Sequence, residues 1–585
     1  MKQELEQLLL ASIAKLAGTV LPQAPAEEAV VLERTREAQH GDFATNVALR
    51  LAKSARKSPR ELAQAIVAAL PPSPLLSRAE VAGAGFINFH LAPAAYAREL
   101  AAIHAQAGAY GESRLGQGER VLVEFVSANP TGPLHVGHGR HAAYGATLAN
   151  ILAAVGFAVG REFYINDAGR QMDILAASVW LRYLESWGEP LPFPENGYRG
   201  EYVWGIAAKL RGAAGEELRR PAPTVLANLP ADAPAGDKDV YIDAVIARAR
   251  ELIGAAAFQR VLQLAREAVL ADIRSDLEEF GVMFDRWFSE RSLEESGGID
   301  RALERLESHH RLYRKDGALW FRATDLGDEK DRVVVRENGQ KTYFASDIAY
   351  HLDKRERGFQ RLIDVWGADH HGYIARVRAG LAAMGEPPEC FEVPLIQIVN
   401  LFRGGTQIPM GKREGQFVTL RQLREEVGND ACRFFYLMRS HDQPLDFDLE
   451  LAKSRSNENP VYYIQYAHAR VASVMKQLAA RGLAFEREAG LAAAERLASP
   501  HEQAVLKSLT RYPEILEQAA LNRAPHTLAH YLRDLANEFH TYYNAEVFIV
   551  TEPPLRNARL ALVLAVQQVL RNGLTLLGVS APESM

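Results

Sequence analysis

Cysteine is nearly absent: Cys390 and Cys432 are the only two among 585 residues, far apart and in no CxxC pair. That excludes a disulfide framework and a cysteine-rich zinc site, and it fits a reducing compartment. Long apolar runs are also missing. The longest, residues 560–570, is broken by Gln567 and Gln568 and followed by Arg571, so it does not read as a bilayer span. The N-terminus, MKQELEQLLLASIAKL, alternates Glu and Lys with leucines at helical spacing and has no small-residue cleavage site. No secretory signal is expected, and the chain reads as cytoplasmic, without membrane contact. A strong excess of one charge is lacking too, the net charge being −6. That total neither advertises nucleic-acid binding nor forbids it, because local patches bind phosphates.

What is present is ample apolar content, 48% of the chain, spread over a length that suggests several packed units. Residues 1–110 read as a separate α+β unit, with amphipathic helical stretches flanking the apolar strand in GAGFINFHL, residues 83–91. Its segment REAQHGDFATNVALRLAK holds Arg36, His40, Arg50 and Lys53, which suit a phosphate backbone or a solvated helix face equally. Asp42 or Thr45 is placed to cap the helix that follows. Between 118 and 454, short β-branched runs alternate with helical periodicity, the pattern of a doubly wound parallel sheet. That pattern weakens over about 188–275 into Pro, Ala, Gly and charge, as an insertion would, with LPADAPAGDKD its clearest linker. From 455 to 585 strand runs cease and helical periodicity continues, predicting an all-α bundle. Its first helix sets Tyr462, Tyr466 and Arg470 along one stripe, and Tyr542 and Tyr543 follow later. Such stripes stack on unpaired bases or fill a core; spacing leaves both open.

The chain is organised around VEFVSANPTGPLHVGHGRH, residues 123–141. Residues 121–126 suit a parallel strand covered on both faces, and Pro130, Gly132 and Pro133 then break it. Helical spacing resumes after them, so residues 134–140 straddle a first helical turn, where free N–H groups and the positive dipole end collect. His135 and His138 share one face of that turn, and Gly137 with Gly139 would let a ligand approach the backbone. Ordinary histidines at a helix start are the plain alternative. A zinc site would need more ligands, and His141 falls on another face, so no bound metal is expected. Strand, rigid turn and H-x-G-H at a helix N-terminus together suit a nucleotide α-phosphate.

Further polar groups fall at strand ends: Asn166 with Asp167, then Asp369, His370 and His371. A last strand, PLIQIVNL at 394–401, leads into a glycine-rich loop. Glu124 and Asn129 flank the first turn, while Tyr343 and Asp347, four apart, share a helix face. Carboxylates converging on one pocket would suit a cation, above all a guanidinium, which donates two parallel N–H bonds to a carboxylate. Equally, Glu124 could pair with a neighbouring Arg and Asp347 could cap a helix.

The H-x-G-H turn resembles the HIGH motif of class I aminoacyl-tRNA synthetases and, more weakly, that of small nucleotidyltransferases. Beyond it, HGDFATNVALRLAK, EFVSANPTGPLHVGHGR, YINDAGRQMDIL, YFASD, WGADHHGY, MGKREGQFVTL, NENPVYYIQYAHAR and NGLTLLGVSAPESM resemble the bacterial arginyl-tRNA synthetases over essentially the whole chain. The resemblance implies a multidomain protein: a tRNA-contacting α+β domain at 1–110, a Rossmann-like α/β catalytic domain at 118–454, and a helical anticodon-binding bundle at 455–585. It implies ligation of L-arginine to tRNA(Arg) through an arginyl-adenylate, with ATP and Mg²⁺ as the substrate complex, in a monomer. The HIGH region then covers Ala128, Asn129, Pro130, Thr131, Gly132, Pro133, Leu134, His135, Val136, Gly137 and His138, with both histidines on the ATP phosphates. Glu124, Asn129, Tyr343 and Asp347 match arginine-binding positions, with His370 or His371 supplying a further polar contact, and the stripe of Tyr462, Tyr466 and Arg470 would meet tRNA. One departure stands out. The KMSKS signature is relaxed to Pro409, Met410, Gly411, Lys412 and Arg413, leaving Lys412 as the recognisable charge on the leaving pyrophosphate. A small-molecule nucleotidyltransferase would have no use for the helices after 454, and a non-catalytic tRNA-binding paralogue would have lost the two histidines.

Overall fold

The computed structural model describes residues 1–23, 30–35, 37–409 and 418–585. At the N-terminus, helices Lys2–Leu16, Val47–Ala55, Pro59–Ala69 and Pro93–Gln106 accompany an antiparallel sheet in the order Leu32–Arg34, Phe43–Thr45, Phe86–Leu91, Leu76–Ala82. The Gly83–Gly85 pair is the hairpin turn between the last two of these strands, and a Cβ on Gly85 would strike the Pro59 backbone. Asp42 caps no helix. Its carboxylate accepts from Leu91 N–H (2.8 Å) and the Tyr96 hydroxyl (2.7 Å) and meets Lys507 of the bundle at 3.0 Å. The helix after it starts at Val47, with Asn46 in the N-cap position, and Thr45 Oγ1 accepts from the first helical N–H, that of Val47.

The central unit is built on β1 (Arg120–Glu124), α1 (Val136–Ala154), β2 (Ala158–Ile165), α2 (Arg170–Glu185), β3 (Arg286–Ser289), α3 (Tyr343–Glu356), β4 (Arg361–Asp364) and β5 (Phe391–Glu392). Its five strands are all parallel, in the order β5-β4-β1-β2-β3. The pleat of β1 explains its uninterrupted apolar run: Val121 and Val123 enter one core while Leu122 enters the core on the opposite face. Because the chain winds outward from β1 in both directions, the crevice between the ends of β1 and β4 is the topological switch point, where open α/β sheets bind ligands.

Between α2 and β3 the insertion is helical rather than loose, holding Glu201–Ala214, Lys238–Ile253 and Ala255–Glu279. Its alanines are strong helix formers, and Val203, Ile206, Ala207 and Leu210 bury one face at helical spacing. The expected strand at 394–401 breaks in two. Leu395–Ile396 pairs with Trp366–Gly367, and β6 (Val399–Arg403) pairs in parallel with β7 (Leu445–Asp448).

Helices then take over, beginning with α4 (Pro460–Ala480), which Asn459 caps, and including α5 (His526–Ala545) and α6 (Pro553–Leu577). By length and composition α6 would pass as a membrane span despite its two glutamines, but 67% of its most apolar stretch is buried within the protein. The bundle is bolted to both earlier units. Arg34 donates to Glu514, His104 Nε2 meets the Ala561 carbonyl at 2.8 Å, and Asn572 donates to the Ala107 carbonyl at 2.8 Å. Buried Arg433 donates to the carbonyls of Leu577 and Phe280, both at 2.9 Å, satisfying two helix C-termini at once.

Candidate active site

Helix α1 opens immediately after His135, whose extended backbone makes it the N-cap. His135 Nδ1 accepts from Gly137 N–H at 3.1 Å, and His138 Nδ1 accepts from His135 N–H at 3.2 Å. This is a capping box in which imidazoles replace the usual hydroxyl and carboxylate. Accepting at Nδ1 makes Nε2 the proton-bearing nitrogen of each neutral ring, and the rings stack with centroids 3.7 Å apart. Gly137 lies under the His135 ring, 2.9 Å from where a Cβ would stand. Gly139 serves packing rather than ligand approach: a Cβ there would hit Leu420 and the Tyr436 hydroxyl at 2.7 Å.

The turn leading to the histidines is strained. Val126 (φ 69°) and Ser127 (φ 40°) both lie in the left-handed region, which a β-branched residue rarely enters. Ser127 Oγ holds it, donating to Glu124 Oε1 at 2.8 Å and accepting from Tyr164 N–H at 3.1 Å. Val136 N–H donates to the Val418 carbonyl (3.2 Å) and Leu420 N–H to the Leu134 carbonyl (2.8 Å), stitching the segment after the relaxed loop to the histidine turn. Met410, Gly411, Lys412 and Arg413 lie outside the described residues.

A cavity of about 1120 Å³ opens at the switch point. It gathers both histidines, Ala128, Asn129, Glu124, Tyr164, Asn166, Tyr343, Asp347 and His370, together with Glu290 and Tyr373. Of the two adjacent histidines only His370 lines it; His371 is exposed beside it. Asp167 stays out, held by Arg266 (3.1 Å) and Ser289. Pro130, Thr131, Gly132, Pro133, Leu134 and Val136 do not line it either: Leu134 and Val136 are buried, and the Thr131 carbonyl takes the Tyr202 hydroxyl at 2.6 Å. A larger cleft, about 1330 Å³, separates the N-terminal unit from the bundle, but its acids and bases are interleaved and it lies away from the histidine turn.

Asp347 is no cap. Thr342 caps α3, leaving Asp347 in the second turn with its carboxylate toward the Tyr373 hydroxyl. Burial pushes Asp347 up to about 6. Glu290, just past β3 and 6% exposed, is pushed to about 7 by burial and then by the charge of Asp347. Sequence reading missed Glu290, although an acid directly after a strand of a parallel sheet is itself a ligand signal. Glu124 differs, pairing not with an arginine but with buried Lys354 at 2.6 Å. The same ammonium meets Asp364, 2.7 Å away at the end of β4. Against the desolvation of burial, Lys354 and His351 hold Asp364 down at about 2, whereas burial outweighs the ammonium at Glu124 and pushes it up. Among the described residues no Lys or Arg lines the cavity, whereas Glu124, Glu290, Asp347, Asp364 and Asp369 do.

On the bundle, the Tyr462 and Tyr466 rings stack at 6.0 Å, and the Arg470 guanidinium lies 4.4 Å from the Tyr466 centroid and 4.5 Å from that of Tyr543. Tyr542 is instead fully buried core.

A parallel sheet carrying a histidine-capped helix at its switch point, joined to a helical bundle, defines a class I aminoacyl-tRNA synthetase. Residues 99–187 match the family model for the class I (R) tRNA synthetase catalytic domain. The fold is shared with Mycobacterium tuberculosis methionyl-tRNA synthetase, at TM-score 0.51 and 14% identity over 80% of this chain and 92% of that one. Within the class the match narrows. Residues 3–91 match the arginyl tRNA synthetase N terminal domain and 464–585 the DALR anticodon binding domain. The arginine–tRNA ligase of Thioalkalivibrio sulfidiphilus is 58% identical over the full length of both chains. Thermus thermophilus arginyl-tRNA synthetase superposes at TM-score 0.74, with 25% identity and complete coverage of both. The chain belongs to the arginyl-tRNA synthetases.

Proposed function

We propose that Asp347 and Glu290 together take the guanidinium of L-arginine, with Tyr343 alongside at the cavity mouth, and that Glu124, Asn129 and His370 serve its amino-acid end. The protein ligates arginine to tRNA at the expense of ATP, through an arginyl-adenylate. The observation that carries the substrate assignment is the pair of buried carboxylates, both pushed toward neutrality until a cation arrives. ATP lies along the N-terminus of α1, its α-phosphate toward the Nε2–H groups of His135 and His138 and the positive end of the helix dipole.

The arginine carboxylate attacks the α-phosphorus and pyrophosphate leaves; the terminal adenosine 2′-OH then attacks the acyl carbon and AMP leaves. No side chain acts as nucleophile, so catalysis is positioning plus charge stabilisation. Mg²⁺ enters as part of the ATP complex, and Lys412 is assigned to the pyrophosphate. Residues 1–110 and 455–585 flank the catalytic unit at 118–454 and hold the tRNA, with the ladder of Tyr462, Tyr466 and Arg470 stacking on unpaired bases. The working form is a cytoplasmic monomer. Arginine-dependent exchange of pyrophosphate into ATP, with and without tRNA, tests this reading; exchange driven equally by lysine or ornithine would overturn it.

A further inference from the structure

Behind the cavity, the Lys354 side chain is wholly buried and reaches three groups. Its Nζ lies 2.6 Å from Glu124 Oε2, 2.7 Å from Asp364 Oδ2 and 4.2 Å from the Tyr350 ring centroid. Asp364 is also met by His351 Nε2 at 3.0 Å, and His351 Nδ1 donates to the Asp347 carbonyl at 2.7 Å. With one oxygen of Glu124 on Lys354, the other is turned to Ser127 Oγ, the hydroxyl that holds the left-handed Val126–Ser127 turn. A single ammonium therefore connects both substrate-facing segments, the turn running into Asn129 and the helix turn carrying Asp347.

We propose that Lys354 is a positioning residue for arginine activation: it aligns Glu124, through Glu124 and Ser127 the strained turn that presents Asn129, and through Asp364 and His351 the turn of α3 that presents Asp347. It touches no substrate. Two carboxylates at the ends of adjacent strands, Glu124 and Asp364, repel each other without a cation between them, so its loss would rotate or protonate one of them. The geometry also assigns opposite roles to the cavity acids. Glu124 arrives already paired, whereas Asp347 and Glu290 have no ion-paired cation among the described residues and await the guanidinium.

This inference rests on the assignment of arginine to Asp347 and Glu124, and five variants of the full chain separate the two readings. Steady-state pyrophosphate exchange with tRNA present gives kcat and both KM values, and circular dichroism reports folding. Lys354→Met is expected to raise the arginine KM at least tenfold and to lower kcat about tenfold, leaving the ATP KM within twofold. Lys354→Arg, which keeps a buried cation, should recover most of the loss. The charge-balanced Lys354→Met/Asp364→Asn variant restores the net charge but not the alignment of Glu124, and should stay impaired. Ser127→Ala leaves the Lys354–Glu124 pair intact and should lower kcat about tenfold by itself, which decides the matter if Lys354→Met does not fold. Folded Lys354→Met with unaltered arginine kinetics, or with equal losses for ATP and arginine, overturns the proposal, as does full recovery in the charge-balanced variant or a normal Ser127→Ala enzyme. Asp347→Asn distinguishes the failures: if it raises the arginine KM while Lys354→Met does not, the substrate reading stands and only the positioning role is lost.

Discussion

Arginine binding should expel protons, by an amount set by pH. With Glu290 near 7 and Asp347 near 6 in the free enzyme, about three-quarters of the first and a quarter of the second are protonated at pH 6.5, roughly one proton in all. At pH 8 the same carboxyls hold only about 0.1 proton between them. A bound guanidinium favours both ionised forms, so arginine should release about one proton at pH 6.5 and almost none at pH 8, and its affinity should climb between those values and then level off. Titration calorimetry in buffers of differing ionisation enthalpy reads the release directly. Glu290→Gln sharpens the test. Lifting a glutamate from 4.5 to about 7 costs roughly 3 kcal/mol of stability once folded and unfolded forms are both ionised. Because the folded carboxyl keeps its proton to higher pH than the unfolded one, this loss develops as pH rises from about 4.5 to 7 and is complete above it. At pH 8 the Gln variant should therefore unfold at higher denaturant than the unmodified enzyme while using arginine poorly. Equal proton release at both pH values, or a Gln variant less stable at pH 8, would refute the paired-acid reading.

Asp347→Asn keeps the volume but loses the charge and the fork, so the arginine KM should rise by the equivalent of roughly 2–5 kcal/mol with kcat changed less; citrulline, uncharged at that end, should gain relative to arginine. His138→Ala removes an Nε2–H donor and half of the capping box, and should slow adenylate formation by on the order of 10²–10³ with tRNA affinity unchanged. Tyr466→Ala breaks the ladder between Tyr462 and Arg470 and should weaken tRNA binding by about 1–3 kcal/mol in a filter assay, leaving the arginine KM alone. Arg433→Ala strands two buried helix-end carbonyls and should destabilise the enzyme by roughly 2–5 kcal/mol in urea titrations, with the arginine KM of the folded fraction unaffected.

The catalytic sheet, the histidine turn and the bundle were legible because each is a local signal. A β-branched run, a Pro/Gly break and apolar residues at helical spacing all act within a few positions. What escaped depends on pairing across the fold. Glu124 and Lys354 are 230 residues apart, and nothing near either names the other. Gly139 has the look of a ligand-approach glycine until Tyr436, arriving from 297 positions downstream, fills the space above it. Asp42 sits where a helix cap belongs, yet two strong donors, Leu91 N–H and the Tyr96 hydroxyl, compete successfully for its carboxylate. The insertion misled for a compositional reason, since alanine and glycine together resemble a linker while alanine alone builds helices. Tyr466 and Tyr542 could not be told apart as types; only burial separates the half-exposed ring of the ladder from the one in the core.

The bolts between the bundle and the N-terminal unit also bear on how the chain is made. Arg34 and Glu514 are 480 residues apart, and Ala107 and Asn572 are 465 apart. At about 5–20 residues per second, a ribosome delivers the second member of either pair roughly 25–95 s after the first. Through that interval the N-terminal unit displays Arg34 without Glu514, His104 without the Ala561 carbonyl, and Asp42 without Lys507. The final helix, α6, carries the partners of His104 and Ala107 and one end of the Arg433 clamp, so it is the piece whose arrival joins all three units. A nascent enzyme stalled before residue 553 would have every residue of its arginine pocket and still lack the helix that ties its ends together.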